Sequence, residues 1–398
     1  MIGPLLRLAS FRRLAIGLTL AMLAESVLLL ALGIRVKTLT GSDALAGAVI
    51  LAIALPSLVA PAMGTWVDRV SRKRFLVVLN IVSAIVLLPL LVVVDADRVG
   101  IIFVVAFAYG LAYPLTAAAT GGLLKDLVSA DALGDANGLL QTVRQGLRLI
   151  GPLIGAGLLV SLGPRVLIGA VSVGFLLSAA VLATIAADEA PRVVSAASWT
   201  GQMKEGWRSL RENTRLLRVT IAVSGAMLAL GLLEPVVFAV ADAGLGRPPE
   251  FVSVIVFAQG IGSVIGGLTA GRLVRRRGES ATVAAALLLA APAVALWVVP
   301  ATAAVLVGSG LVGVAFPWAL VGFSTLLQRT TGSALVGRVT ATTEAMLVGP
   351  QVVGIALGGL ALATIGFRPV VVAGAAILGA VGAVLLRAAP THRVRPEA

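Results

Sequence analysis

Two carboxylates occupy places where carboxylates are rare. Glu25 lies midway along an apolar run at 14–34, and Glu234 stands beside Pro235 in another at 219–241. Putting an acid at the centre of a membrane helix costs roughly 2.5–3.5 kcal/mol on insertion scales, so such an acid points to chemistry that needs it. That chemistry is reversible protonation: a dry, apolar setting disfavours a carboxylate's charged form, and water or an arriving cation favours it. Glu25, the more central, is expected to be the principal proton carrier and Glu234 a second. Glu344, near the start of a later run, carries little weight because it could be solvated. Tyr109 and Tyr113 are one helical turn apart, and Phe316 and Trp318 lie at matching positions in the second half of the chain. Together they are candidates for an aromatic wall facing a flat or cationic ligand. The chain has no cysteine and a single histidine, His392, which leaves no thiolate or histidine metal site. No phosphate loop, nucleotide fingerprint or catalytic dyad appears, so no cofactor and no enzymatic activity are expected.

The elements that must position these residues follow from composition. Of 398 residues, 59% are hydrophobic and 12% charged, with 45 glycines. A soluble domain carries about 25% charged residues, so this chain cannot cover a water-soluble particle and reads as an all-α membrane protein. A span needs about 20 apolar residues. Twelve stretches qualify, near 14–34, 44–63, 75–95, 100–124, 138–161, 165–187, 219–241, 251–270, 281–300, 302–327, 341–364 and 369–388. The first is long enough to stay as a helix and does not read as a cleaved signal. With the N-terminus inside, all but six of the 31 basic residues fall on the cytoplasmic side, the six being Arg35, Lys37, Arg98, Arg165, Arg247 and Arg368. Both termini are then cytoplasmic. The net charge of +13 reflects this loop bias and implies no nucleic-acid partner.

The polar stretch 188–218 separates a six-span bundle at 1–187 from a second at 219–398. It holds Lys204, Arg208, Arg211, Arg215 and Arg218 with Trp199 and Trp207, a pattern for an amphipathic surface helix lying on anionic headgroups. It is expected to tether the halves and to be dispensable for binding. From residue 64 to residue 168 one offset of 203 residues superposes the halves without a gap: Gly64 on Gly267, Arg69 on Arg272, Arg72 to Arg74 on Arg275 to Arg277. The same offset puts Gly110 on Gly313, Pro114 on Pro317, Gly151 on Gly354 and Gly155 on Gly358. Two pseudo-symmetric, parallel six-helix bundles follow, with a site expected between them near the bilayer midplane.

The loop Gly64-Thr65-Trp66-Val67-Asp68-Arg69-Val70-Ser71-Arg72-Lys73-Arg74 resembles the G-x-x-x-D-R-x-x-R-[KR]-R signature of the major facilitator superfamily, with Ser71 where that family usually has glycine. Gly151-Pro152-Leu153-Ile154-Gly155-Ala156 is similar to the G-P-x-x-G-G motif of its antiporter branch, with Ala156 replacing the last glycine. Taken with twelve spans and duplicated halves, the resemblance covers essentially the whole chain and is strongest to twelve-helix drug:proton antiporters of the macrolide-efflux type. It implies a cavity lined by the first, fourth, seventh and tenth spans. It also implies a cytoplasmic latch formed by Gly64, Asp68, Arg69, Arg72 and Arg74, with Arg338 as the partner at the start of the eleventh span. The arginine that many such exporters carry in the fourth span is missing, since position 106 is Ala106. Arg144 and Arg148 enter the fifth span instead and are expected to snorkel to the cytoplasmic surface.

The implied activity is secondary active export of small lipophilic or cationic compounds by proton antiport with alternating access. An exporter of a specific metabolite, siderophore or lipid would look alike, and a non-transport membrane sensor is the remaining alternative. The expected partners are the substrate, protons and the lipid bilayer, with the chain acting as a monomer. Lysine supplies only Lys37, Lys73, Lys125 and Lys204 of the 31 basic residues, a bias of GC-rich coding that suggests a bacterial inner membrane.

Overall fold

The computed structural model describes residues 5, 7–58, 70–129, 132–186, 199–331 and 335–388. The chain divides into two compact units, Met1–Ala196 and Ala197–Ala398. In the first unit the helices are α1 (Ala9–Thr40), α2 (Asp43–Ala54), α3 (Arg72–Val86), α4 (Val99–Leu127), α5 (Leu133–Ser161) and α6 (Gly163–Ala183). In the second they are α7 (Trp199–Glu212), α8 (Thr214–Leu233), α9 (Val252–Arg277), α10 (Glu279–Ala295), α11 (Thr302–Thr330), α12 (Val336–Ile365) and α13 (Phe367–Ala388). Among the described residues there is no strand. Among the described residues eleven helical stretches are long and apolar enough to cross a membrane. The remaining expected span, 44–63, corresponds to a shorter apolar stretch, Asp43–Leu58, at whose end the described residues stop.

The repeat read from the sequence reappears as packing. In the first unit α1 packs on α5 and α6, α3 on α4 and α6, and α2 on α4. In the second, α8 packs on α12 and α13, α10 on α11 and α13, and α9 on α11, the same pairs displaced by one repeat. Inside a bilayer, helix association gains little from burying apolar surface, because lipid tails are equally apolar; close approach of small residues and interhelical hydrogen bonds take over. Ser178 Oγ donates to Gly17 O at 2.8 Å and Ser172 Oγ to Ala84 O at 3.3 Å, tying α6 to α1 and to α3. The α1–α2 corner is closed by Gly41, whose φ of 71° ends α1 in a left-handed cap. Buried Lys37 then reaches Asp43 at 2.9 Å.

Each unit also carries an ion pair between the start of its third span and the end of its fourth, with opposite polarity. In the first unit Arg72 Nη1 on α3 meets Asp126 Oδ2 on α4 at 3.1 Å. In the second the acid is Glu279, opening α10: Arg329 on α11 binds one oxygen at 2.7 Å and Arg215 on α8 the other at 2.8 Å. Glu279 is 8% exposed, so one carboxylate clamps three helices. This acid was not singled out in the sequence, where it follows Arg275 to Arg277 and reads as part of a polar loop.

The described part of the segment expected to tether the halves is docked. Its helix, α7, belongs to the second unit and packs along α12. A Cβ at Gly206 would overlap Arg338 O and Thr342 Oγ1, so the two helices touch backbone to backbone there. Asn213, whose side chain accepts from Leu216 N at 3.0 Å, breaks the chain between α7 and α8.

Candidate functional site

The acid, the tyrosines and the arginines converge in the first unit, and the motif glycines set that geometry. A Cβ at Gly151 would overlap Ser26 Oγ, and one at Gly155 would overlap Val27 O, so α5 lies directly on α1 just past Glu25. Ser26 Oγ donates to Leu147 O at 2.7 Å across the same contact. Pro152 is buried within α5. The repeat performs the same approach in the second unit, where Gly354 and Gly358 of α12 meet Leu228 O and Leu232 O of α8. The antiporter-like glycines therefore act as a packing device that both halves share. The carboxylate next to it exists in one half only, since the offset puts Leu228 at the place of Glu25.

Glu25 is half-buried, and among the described residues its carboxylate makes no hydrogen bond or ion pair. Its backbone is held instead: Tyr109 OH donates to Glu25 O at 2.9 Å, fixing α4 against α1. One turn along α4, the exposed ring of Tyr113 carries the Arg144 guanidinium at 5.2 Å from its centroid. The charge of Arg144 acts on Glu25, and those of Glu25 and Arg148 act on Tyr109. One acid, two phenols and two guanidinium groups from three helices thus share one neighbourhood. The Arg144 guanidinium thus lies over an exposed ring, and Arg148, one turn further along α5, is itself exposed. The signal was present as two tyrosines and two arginines at four-residue spacing, but only the α4–α5 approach brings them together.

In the second unit the expected residues are engaged in packing. Glu234 accepts from Gln351 Nε2 at 2.8 Å, across the α8–α12 contact. Trp318, half-buried, donates from Nε1 to Thr269 Oγ1 at 2.8 Å and ties α11 to α9. Phe316 is half-buried and Glu344 exposed. Of the latch residues, Gly64, Asp68 and Arg69 lie outside the described residues. Arg72 pairs with Asp126 inside its own unit, and Arg74 is exposed in the first turn of α3, where its N–H bonds Ser71 Oγ at 3.3 Å. Arg338 pairs with Glu205 of α7; Asp68, its expected partner, lies outside the described residues. The sequence shows Glu205 only as one acid in a basic segment, with nothing to mark it as a partner of Arg338.

Comparison with known proteins agrees with this architecture. The chain is similar to a point mutant of the nucleoside transporter NupG, with a TM-score of 0.80, 15% identity, and coverage of 95% of this chain and 99% of that one. A bacterial homologue of the iron transporter ferroportin matches with a TM-score of 0.71, 15% identity and coverage of 96% and 98%. A bacterial homologue of the lysosomal transporter Spinster matches with 0.66, 16%, and 95% and 96%. At these identities the likeness establishes the fold alone. A search of curated protein sequences returned no match. The sequence profile of the Major Facilitator Superfamily matches residues 14–341. An all-helical chain of two repeated bundles, matched over most of its length by that profile, belongs to the Major Facilitator Superfamily and is a multi-pass membrane transporter rather than an enzyme.

Proposed function

We propose that this transporter exports small lipophilic compounds, cations among them, by proton antiport with alternating access, and that Glu25 is the proton carrier. The observation that carries this reading is the state of Glu25: a carboxylate midway along α1, without a hydrogen bond or ion pair among the described residues, whose backbone Tyr109 holds and on which the charge of Arg144 acts. A carboxylate with no such partner among the described residues can take up and release a proton without breaking the fold. Exchange follows from linkage, because proton and cationic substrate stabilise opposite charge states of one acid and each displaces the other. Arg144, anchored over Tyr113, serves as the resident counter-charge when neither is bound. This role replaces the fourth-span arginine absent at Ala106. Glu234, already satisfied by Gln351, is placed second. The orientation with both termini cytoplasmic, in a bacterial inner membrane, belongs to the same reading.

The test uses purified protein in sealed vesicles with an imposed pH gradient. Wild type should drive a lipophilic cation outward against its gradient, and Glu25→Gln should abolish that flux while folding normally. Flux indifferent to the pH gradient, or a Glu25→Gln protein that pumps at the wild-type rate, would overturn the assignment.

A further inference from the structure

The outer surface of α7 is divided by residue type. Met203, Gly206 and Leu210 lie on one side, toward α12; Leu210 is fully buried and Gly206 touches Arg338 O. Lys204, Trp207, Arg208 and Arg211 are all exposed and fall at i, i+3, i+4 and i+7, one helical stripe. The Arg208 side chain is 85% exposed, and the Arg211 guanidinium sits 5.9 Å from the centre of the Trp207 ring. The two acids lie on the third side and are already matched, Glu212 with Arg208 at 3.2 Å and Glu205 with Arg338. Both anchors of α7 are at the beginnings of spans: it runs into α8 at Asn213 and docks on the first turns of α12. The helix therefore lies at the end of its unit where those two spans begin, with a row of three cations and one indole exposed.

We infer that this stripe binds the headgroups of anionic phospholipids, and that the bound helix holds the start of α12 through Gly206 and the Glu205–Arg338 pair. Charge complementarity selects the occupant: three cations in a row at a membrane face match phosphate-bearing lipid headgroups, and an indole ring settles at headgroup depth. Each cation near an anionic surface contributes about fivefold to partitioning. Arg208 shares its charge with Glu212, which leaves a combined preference for anionic over neutral lipid of roughly tenfold or more.

Amide exchange of the full chain tests this, compared between phosphatidylcholine vesicles and phosphatidylcholine vesicles doped with phosphatidylglycerol. Residues 199–212 and 336–344 should exchange about tenfold more slowly in the anionic membrane, and the difference should shrink with added salt. The triple variant Lys204→Gln, Arg208→Gln, Arg211→Gln should show no lipid dependence while the other spans exchange as in wild type. In Glu205→Gln, lipid should still protect 199–212 while 336–344 ceases to follow. Equal exchange of wild type in the two membranes overturns the proposal without needing any variant. A triple variant that still responds, or inorganic phosphate that reproduces the protection in neutral vesicles, overturns it as well. None of these readings depends on the substrate or on proton coupling.

Discussion

Replacing Gly151 with alanine adds a methyl group where Ser26 already sits. The new Cβ overlaps Ser26 Oγ, so α1 and α5 must separate or the serine must turn and lose its bond to Leu147 O. Forcing an extra methyl into a packed interior costs about 1–3 kcal/mol, and an interhelical hydrogen bond in a membrane is worth about 0.6 kcal/mol on average and 1.7 at most. The loss should therefore fall near 1–4 kcal/mol. The repeat supplies its own control, since Gly354→Ala meets Leu228 O in the equivalent α8–α12 contact, where no acid is present. The two variants should lose similar thermal stability in detergent. They should differ in transport, because only the first displaces the backbone beside Glu25. If the displacement changes the balance between charged and neutral Glu25 by 1.4 kcal/mol, gradient-driven flux falls about tenfold, while Gly354→Ala stays near wild type. Equal loss of flux in the two variants, at equal stability, would refute the argument that the α1–α5 contact positions the proton carrier.

Arg144→Gln removes the counter-charge and the ring contact together; with a cation over an aromatic ring worth about 0.5–2 kcal/mol, vesicle flux should fall about two- to thirtyfold, with Arg144→Lys falling less. Tyr109→Phe deletes the tie from α4 to Glu25 O and should lower stability by about 0.5–1.5 kcal/mol in a detergent melt. Glu279→Gln strands two guanidinium groups; breaking a buried pair costs about 3–5 kcal/mol, and because Arg329 is 69% exposed and can rehydrate, a loss of about 2 kcal/mol is expected in the same melt. Glu279→Gln should leave the pH dependence of transport unchanged, which direct measurement of flux against pH would check.

What the sequence determined by itself is what depends on one-dimensional pattern. Runs of about 20 apolar residues leave a backbone no choice but helix, since lipid offers no partner for an open N–H or C=O. The 203-residue offset, carried by glycines, prolines and arginines at fixed places, determined two equivalent bundles, and the same packing pairs recur in each. Glu25 stood out because a charge in an apolar run is expensive wherever the helix ends up. What only the tertiary structure decided is which polar groups meet across helices. Lys and Arg side chains reach several ångströms in any direction, so Arg144 could have turned to the surface as easily as to Tyr113, and the α4–α5 approach made the choice. Glu205 reads as one acid in a basic segment until α7 docks on α12 and pairs it with Arg338. Glu279 reads as a loop residue until three helices close around it, because burial is a property of neighbours and not of the residue itself.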